Sequence, residues 1–357
     1  MKSGKTLQEM AVELERQKNA KRDFVAPTKE LKLQTIEDVL GGIASDPVSL
    51  KVNGHGDFRV NKIAHGQIAS RVGIPQKYYD RMKTEAPELL VRNVNHWFEK
   101  KPENRMVRTL DGSARAFLSS RYRTIDNLPI AENAIDTLTK IGGLKVESAE
   151  LTDSRMYIKA VTERISFEVK KGDVVQAGIV ISNSEVGMGS VKVEPLVYRV
   201  VCSNGMIAND YSMRKYHIGR GIEADIAEEL YADDTRRTDD RAFMLKVRDV
   251  IQNAFRRDVF QRIAEKMTET TGRKIEGDPV KAVEVTQKKL GLQDSERSSV
   301  LTHLIQGGDL TQWGLLNAVT RTAEDVKDYD RATEMEKLGG VVLELPKTDW
   351  QEIATAA

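Results

Sequence analysis

Basic and aromatic side chains alternate along two segments of this 357-residue chain that the sequence predicts to be β-strands. In a strand, alternate residues share a face. The segment after the Asp111-Gly112 turn places on one face Arg115, Phe117, Arg121 and Arg123. A later segment does the same with Arg155, Tyr157 and Lys159. Guanidinium groups pair with phosphates and aromatic rings stack on unpaired bases, so the pattern predicts a surface for single-stranded nucleic acid. The alternative is a basic face that meets water or the chain's own acidic residues.

A third basic segment follows a stretch that predicts the centre of a sheet. Residues 172–201 alternate small, β-branched and polar residues in two strand-like runs around a glycine-rich break at 185–189. Arg199 lies in the second run, and a polar turn at 203–205 leads to a cationic segment. The residues expected to line the edge of the site are Arg199, Arg214, Lys215, His217 and Arg220.

The elements that would position these residues predict an α+β fold. Asp111-Gly112 is a strong hairpin signal within residues 105–123, an amphipathic helix is predicted over 128–141, and Gly142-Gly143 ends it. Together with the later strands this gives one antiparallel sheet of about five or six strands with a helix across its apolar face. The opposite, basic face is expected to be open.

Charge and periodicity divide the rest of the chain. Residues 1–60 are predicted to form a helical arm, centred on 5–22, and an extended segment, and residues 61–220 form the core. Eight acidic residues at 221–240 indicate a linker, and 241–357 is helical, with a further edge strand expected at 341–346. This division predicts that the core folds without the C-terminal region.

Residues 65–82 have the spacing of two helices around a glycine, with Ala69 four residues before Gly73. The spacing is typical of a DNA-binding helix pair, but ordinary packing of two helices produces it as well, and packing is the favoured interpretation.

Composition excludes several classes. The formal net charge is only +1, so a nucleic-acid site has to be a local patch. The single cysteine, Cys202, fits a reducing cytoplasm, and no window reaches the ~20 apolar residues of a membrane span. The histidines lack metal-ligand spacing and no phosphate-binding loop or nucleophile motif is found, so no catalytic residue, metal or cofactor is predicted.

Four stretches resemble a known family. They are FLSSRYRTIDN (117–127), NSEVGMGS (183–190), PLVYRVVCSNGMI (195–207) and RKYHIGR (214–220). They look like the phage- and plasmid-borne family called domain of unknown function 932, over roughly residues 63–220. The resemblance implies a phage or other mobile-element setting, and hence the cytoplasm of a host cell, but no reaction. A weaker similarity, in element order alone, is to the Rad-type single-strand annealing fold, which implies rings or filaments that hold single-stranded DNA without a cofactor.

The sequence therefore favours a non-catalytic, homo-oligomeric protein that binds single-stranded DNA without sequence preference and anneals complementary strands. One alternative is a metal-dependent enzyme that processes nucleic acid, with Glu185, Glu194 or His217 as acid-base or ligand groups. Another is a phage host-takeover protein whose partner is a protein.

Overall fold

A computed structural model describes residues 1–36, 46–122, 124–208 and 233–357. It confirms the α+β class, with antiparallel sheets, packed helices and a helical C-terminal region. The single predicted sheet is wrong, because the strands form two sheets. The 105–123 hairpin belongs to one sheet, and the strands after residue 143 belong to the other.

The first sheet has six strands in the order β1-β5-β6-β4-β3-β2. Its strands are β1 Arg22–Pro27, β2 Leu31–Thr35, β3 Val48–Val52, β4 Gly56–Val60, β5 Asn104–Leu110 and β6 Ser113–Ser119. Only β4 and β6 pair in parallel. Asp111 and Gly112 both have positive φ, as a tight hairpin requires, and the hairpin prediction is confirmed. The segment predicted to be merely extended, 31–60, supplies three strands of this sheet.

Three helices cover one face of the six-stranded sheet. They are α2 Lys62–Val72, α3 Gln76–Glu85 and α4 Pro87–Lys100. Gly73 ends α2 in the left-handed region at φ 72°, which supplies the predicted tight turn. The two helices around that turn bury Ile68, Tyr79 and Met82 in a core shared with the sheet, as the packing interpretation expects.

The second sheet has five antiparallel strands in the order β11-β10-β9-β8-β7. They are β7 Leu144–Leu151, β8 Met156–Lys170, β9 Asp173–Asn183, β10 Lys192–Arg199 and β11 Asn204–Ile207. One face packs against the N-terminal helix α1 Leu7–Ala20, the predicted helix α5 Asn127–Ile141 and α6 Asp233–Ala254. Thr6 and Glu9 form a capping box that begins α1.

The other face of the five-stranded sheet is not open. Tyr157, Val180 and Leu196 on that face pack with Tyr329, at the start of a C-terminal helix. The C-terminal helices are α7 Arg257–Thr271, α8 Pro279–Leu290, α9 Asp294–Gly307, α10 Gln312–Arg321, α11 Tyr329–Leu343 and α12 Lys347–Ala354. A larger apolar cluster, at the other end of the strands from Ile179 and Ile181, joins Val175, Val197 and Met206 of the sheet to Trp313 and Met335 of these helices. The strand expected at 341–346 is wrong as well, because α11 runs through Leu343.

Candidate nucleic-acid interface

The hairpin does not present its basic face to solvent. Arg115 and Phe117 are both buried, and the Phe117 ring stacks on Phe98 of α4 with centroids 5.6 Å apart. The cause is a β-bulge: Arg108 pairs with Ala116 but Thr109 pairs with Ala114, which leaves Arg115 as an extra residue. A bulge shifts the two-residue alternation, so the predicted assignment of side chains to faces fails here.

The second predicted basic strand is covered by α11. Lys159 is fully buried and its Nζ lies 2.7 Å from Oε2 of Glu336, which is also fully buried. The same Nζ lies 4.6 Å from the centroid of the Tyr329 ring. Tyr157 packs beside Tyr329, and burial together with the negative charge of Asp330 raises the pKa of Tyr157. The structure therefore buries Tyr157 and Lys159, which the sequence analysis expected on a surface that faces DNA.

Arg199 is engaged inside the protein. Its Nε and Nη2 donate to the two carboxylate oxygens of Asp173 at 2.6 and 2.8 Å, and Trp313 Nε1 donates to the same carboxylate at 3.0 Å. Burial alone would raise the pKa of Asp173, but the hydrogen bonds from Arg199 and Trp313 outweigh it and hold the pKa below its ordinary value. This cluster fastens α10 to the end of the five-stranded sheet.

Two of the predicted basic residues remain near the surface. Arg121 is exposed, and Arg155 is half-buried, with Nη2 donating to the backbone carbonyl of Met188. The other predicted site residues lie outside the described residues: Arg123, Arg214, Lys215, His217 and Arg220.

A basic and aromatic groove that the sequence analysis does not assign lies at the other end of the hairpin. Two adjoining depressions of about 260 and 550 Å³ share Ser70 and Arg71 as lining residues. We call this surface the Arg71 groove, and its further charged and aromatic lining consists of Trp97, Lys101, Arg105 and Phe117.

Cations outnumber carboxylates at the Arg71 groove. Arg71 and Arg105 both pair with Glu103, and the Arg105 guanidinium carbon lies 5.8 Å from the centroid of Phe117. Trp97 is half-buried, and the Nζ atoms of Lys100 and Lys101 lie 5.4 and 5.7 Å from its ring centroid. The sequence analysis does not include Trp97 among the predicted site residues. The signal that could have found it is the pair of lysines, three and four residues beyond the indole on a helix.

The two sheets meet at a buried charged cluster. Arg108 donates to the carboxylates of Asp23 and Asp126, and its Nη1 donates to the carbonyl of Glu185 at 2.8 Å. Burial would raise the pKa of Asp126, but hydrogen bonds from Arg108 and Lys21 hold it below its ordinary value. Because Arg108 joins β1, α5 and the 184–191 loop, this cluster fixes the position of the glycine-rich motif.

The carboxylates that the enzyme alternative requires lie in different places. Glu185 belongs to the charged cluster between the sheets, whereas Glu194 on β10 pairs with Lys337 at 2.7 Å. Among the described residues no group of three or more histidine, cysteine or acidic side chains is arranged to hold a metal ion. Within the same ranges no helix is long and apolar enough to cross a membrane.

The family model described as "Domain of unknown function (DUF932)" matches residues 116–339, which is more than half of the chain. The chain belongs to this family. Comparisons with curated proteins and with solved structures find no significant match.

The DUF932 match changes where the family's domain ends. The resemblance predicted an end near residue 220, but the match continues to residue 339. The DUF932 region therefore includes most of the helical C-terminal region, and in the structure those helices pack against the five-stranded sheet. Strands β1 to β5 of the six-stranded sheet precede the match, which begins within β6.

Proposed function

We propose that this DUF932 protein binds single-stranded DNA without sequence preference along the Arg71 groove. The observation that carries the proposal is a half-buried indole, Trp97, flanked by two lysine ammonium groups at the rim of a groove lined by arginines. Non-specific single-strand sites combine cationic residues that follow the backbone with aromatic faces on which bases stack.

The groove supplies both kinds of contact. Trp97 would stack on a base, and Lys100, Lys101, Arg71 and Arg105 would meet phosphates. Glu103 neutralises part of the charge of both arginines in the free protein. Phosphate oxygens can replace this carboxylate because a guanidinium binds both in the same two-pronged geometry. Arg121 follows the groove residue Ser119 by two positions and is exposed, so it can extend the phosphate path.

Self-association is part of the same proposal. The six-stranded sheet ends at β1, where Val25 is 57% exposed, and an unpaired strand edge is a template for another chain. At the opposite edge, Asn95 of α4 accepts from and donates to the backbone of Leu33 on β2, which satisfies groups that a second copy would otherwise bind. We therefore place the contact between copies at β1, and annealing of complementary strands would take place on the resulting ring or filament. The phage or plasmid setting is an expectation of the same proposal.

Tryptophan fluorescence gives a direct test. The chain has three tryptophans, and Trp313 and Trp350 are buried, so quenching by bound single-stranded DNA should come from Trp97. Replacing Trp97 by leucine should abolish the quenching and weaken binding about tenfold or more, since a stacked base contributes ~1–3 kcal/mol. Fluorescence anisotropy of a labelled oligonucleotide measures the affinity.

Replacing a pair of lysines tests the electrostatic part of DNA binding. Lys100→Ala/Lys101→Ala should make the slope of log affinity against log salt shallower by about 1.4, because each contact to a single strand contributes ~0.7. The matched control is Lys281→Ala/Lys288→Ala on α8, two exposed lysines on a different part of the surface. Equal effects of the two pairs, or quenching that survives in Trp97→Leu, would exclude the Arg71 groove as the DNA site.

Sedimentation with and without DNA tests self-association, and a strict monomer under both conditions would exclude annealing on a ring or filament.

A further inference from the structure

A polar cavity of about 400 Å³ lies beside the charged cluster, where the two sheets meet. We call it the inter-sheet cavity. Its lining comes from α1, the turn and second strand of the β5–β6 hairpin, the start of α5, residues 151–155 before β8, and the 184–191 loop. Its volume lies in the range of small-molecule sites. The cavity shares no lining residue with the Arg71 groove.

Arg115 is the residue that indicates a ligand. It is only 9% exposed and lines the inter-sheet cavity, yet its Nε and Nη2 have no hydrogen-bond acceptor. Nη2 lies 2.6 Å from Oε2 of Glu185, but the N–H direction misses the oxygen, so both atoms remain unsatisfied as hydrogen-bonding groups. Buried guanidinium groups in folded proteins are almost always hydrogen-bonded, and an exception requires an explanation.

Of the carboxylates around Arg115, Glu185 keeps one buried oxygen without a hydrogen-bond donor, Oε2, and this oxygen forms the ion pair with Arg115. Glu185 Oε1 accepts the backbone N–H of Asn127 at 2.6 Å, and Arg16 binds both Glu13 and Asp111. The remaining lining carboxylate, Asp153, is exposed, so water screens its charge.

Unused capacity in the cavity consists mainly of donors. The side-chain oxygens of Asn61 and Asn127 accept from Ala64 and Asn183, which leaves their amide nitrogens as donors. Arg155 on the lining makes one hydrogen bond through Nη2 and keeps further N–H groups. A ligand that matches these donors must be rich in hydrogen-bond acceptors.

We propose that the inter-sheet cavity binds a small phosphate monoester, up to a nucleoside monophosphate in size, with the Arg115 guanidinium on the phosphate oxygens. A phosphate offers several acceptor oxygens to the fork of an arginine. Asn61, Asn127 and Arg155 supply donors for the rest of the ligand. The proposal does not depend on DNA binding at the Arg71 groove.

Titration calorimetry on the full-length chain tests it with three probes: inorganic phosphate, deoxyadenosine 5′-monophosphate and deoxyadenosine. The monophosphate should bind saturably, inorganic phosphate should compete with it, and deoxyadenosine should not bind. Arg115→Gln should weaken binding of the monophosphate by tenfold or more. Because Arg115 is buried, its replacement can disturb folding. Arg155→Gln, at a half-buried position, is therefore the second variant, and it should also weaken binding of the monophosphate. Arg262→Gln, exposed and outside both the cavity and the Arg71 groove, is the matched control and should leave it unchanged.

The outcomes separate the possibilities. No saturable binding of the monophosphate at millimolar concentration would overturn the proposal, as would equal binding of deoxyadenosine or unchanged affinity in both the Arg115 and Arg155 variants. If inorganic phosphate binds as tightly as the monoester, the contact between Arg115 and phosphate is supported, and the rest of the cavity contributes nothing to affinity. Single-stranded DNA binding by the folded Arg115→Gln protein should be unchanged, which distinguishes failure at this cavity from failure at the groove.

Discussion

Two buried charges connect helix α11 to the middle of the five-stranded sheet. Lys159 and Glu336 are both fully buried and pair at 2.7 Å, and Oε1 of Glu336 has no hydrogen-bond partner. The sequence predicts correctly that Lys159 shares a face with Tyr157, because both lie on a regular strand. It gives no sign that this face is covered, because Glu336 lies 177 residues further along the chain. Side-chain alternation is local, whereas the partner of a buried charge is set by tertiary packing.

Breaking this pair should destabilise the fold strongly. Lys159→Met leaves the Glu336 carboxylate buried without its cation, which costs about 3–5 kcal/mol. The double variant Lys159→Met/Glu336→Leu removes both charges and should recover most of that loss. Urea unfolding followed by circular dichroism measures the difference.

A half-exposed ion pair is the control for the buried one. Lys337→Met breaks the Glu194–Lys337 pair, whose side chains are 22% and 30% exposed, and should cost no more than about 1 kcal/mol. A Lys159→Met protein as stable as the wild type would show that Lys159 is not buried against α11, and would restore it as a candidate for the DNA-facing surface.

At the scale of elements, regular patterns could be predicted and irregular ones could not. The N-terminal helix, the hairpin at Asp111-Gly112 and helix α5 all form where capping residues, turn residues and periodicity place them. The bulge at Arg115 has no comparable sequence signal, and it moves Arg115 and Phe117 away from their predicted surface. At 341–346 β-branched residues favour a strand, but packing against the neighbouring helices outweighs that local propensity, and residues 341–343 continue α11.

Close packing of α10 on α11 should be sensitive to one glycine. A Cβ added at Gly339 of α11 would collide with the methyl group of Thr320 on α10. Overpacking of this kind costs ~1–3 kcal/mol, so Gly339→Ala should lower the melting temperature. Gly307→Ala at the end of α9 is the control, because a Cβ there meets no atom within 4 Å, and it should leave stability unchanged or slightly raised. If both variants melt like the wild type, the close contact between α10 and α11 is wrong.

At the scale of the whole molecule, the C-terminal helices pack on the rest of the protein. The acidic run at 221–240 was expected to separate these helices from the core as a linker. Charge composition indicates where a chain is solvated, but it does not report which surfaces meet afterwards. Residues of β8 to β11 share one apolar cluster with α7 to α12, and α6 packs in the neighbouring cluster of the same sheet. The family match, which continues to residue 339, covers the same combination of sheet and helices. The predicted domain boundary remains a prediction. Its expected consequence is that residues 1–220 fold alone, and the packing favours the opposite, that they need the C-terminal helices.

Splitting the chain within the predicted linker tests this interdependence. A fragment of residues 1–220 should aggregate or remain partly unfolded, because removing the C-terminal helices exposes Val175, Val197 and Met206 on the five-stranded sheet. Co-expression with a fragment of residues 233–357 should rescue it as a soluble complex, since the two fragments together supply both sides of the apolar cluster. Affinity purification through a tag on one fragment, followed by circular dichroism of the complex, measures the rescue. The control pairs the first fragment with a 233–357 fragment carrying Trp313→Asp, which places a charge in the shared cluster and should prevent association. A monomeric, folded 1–220 fragment that melts cooperatively by itself would instead establish the two regions as independent domains.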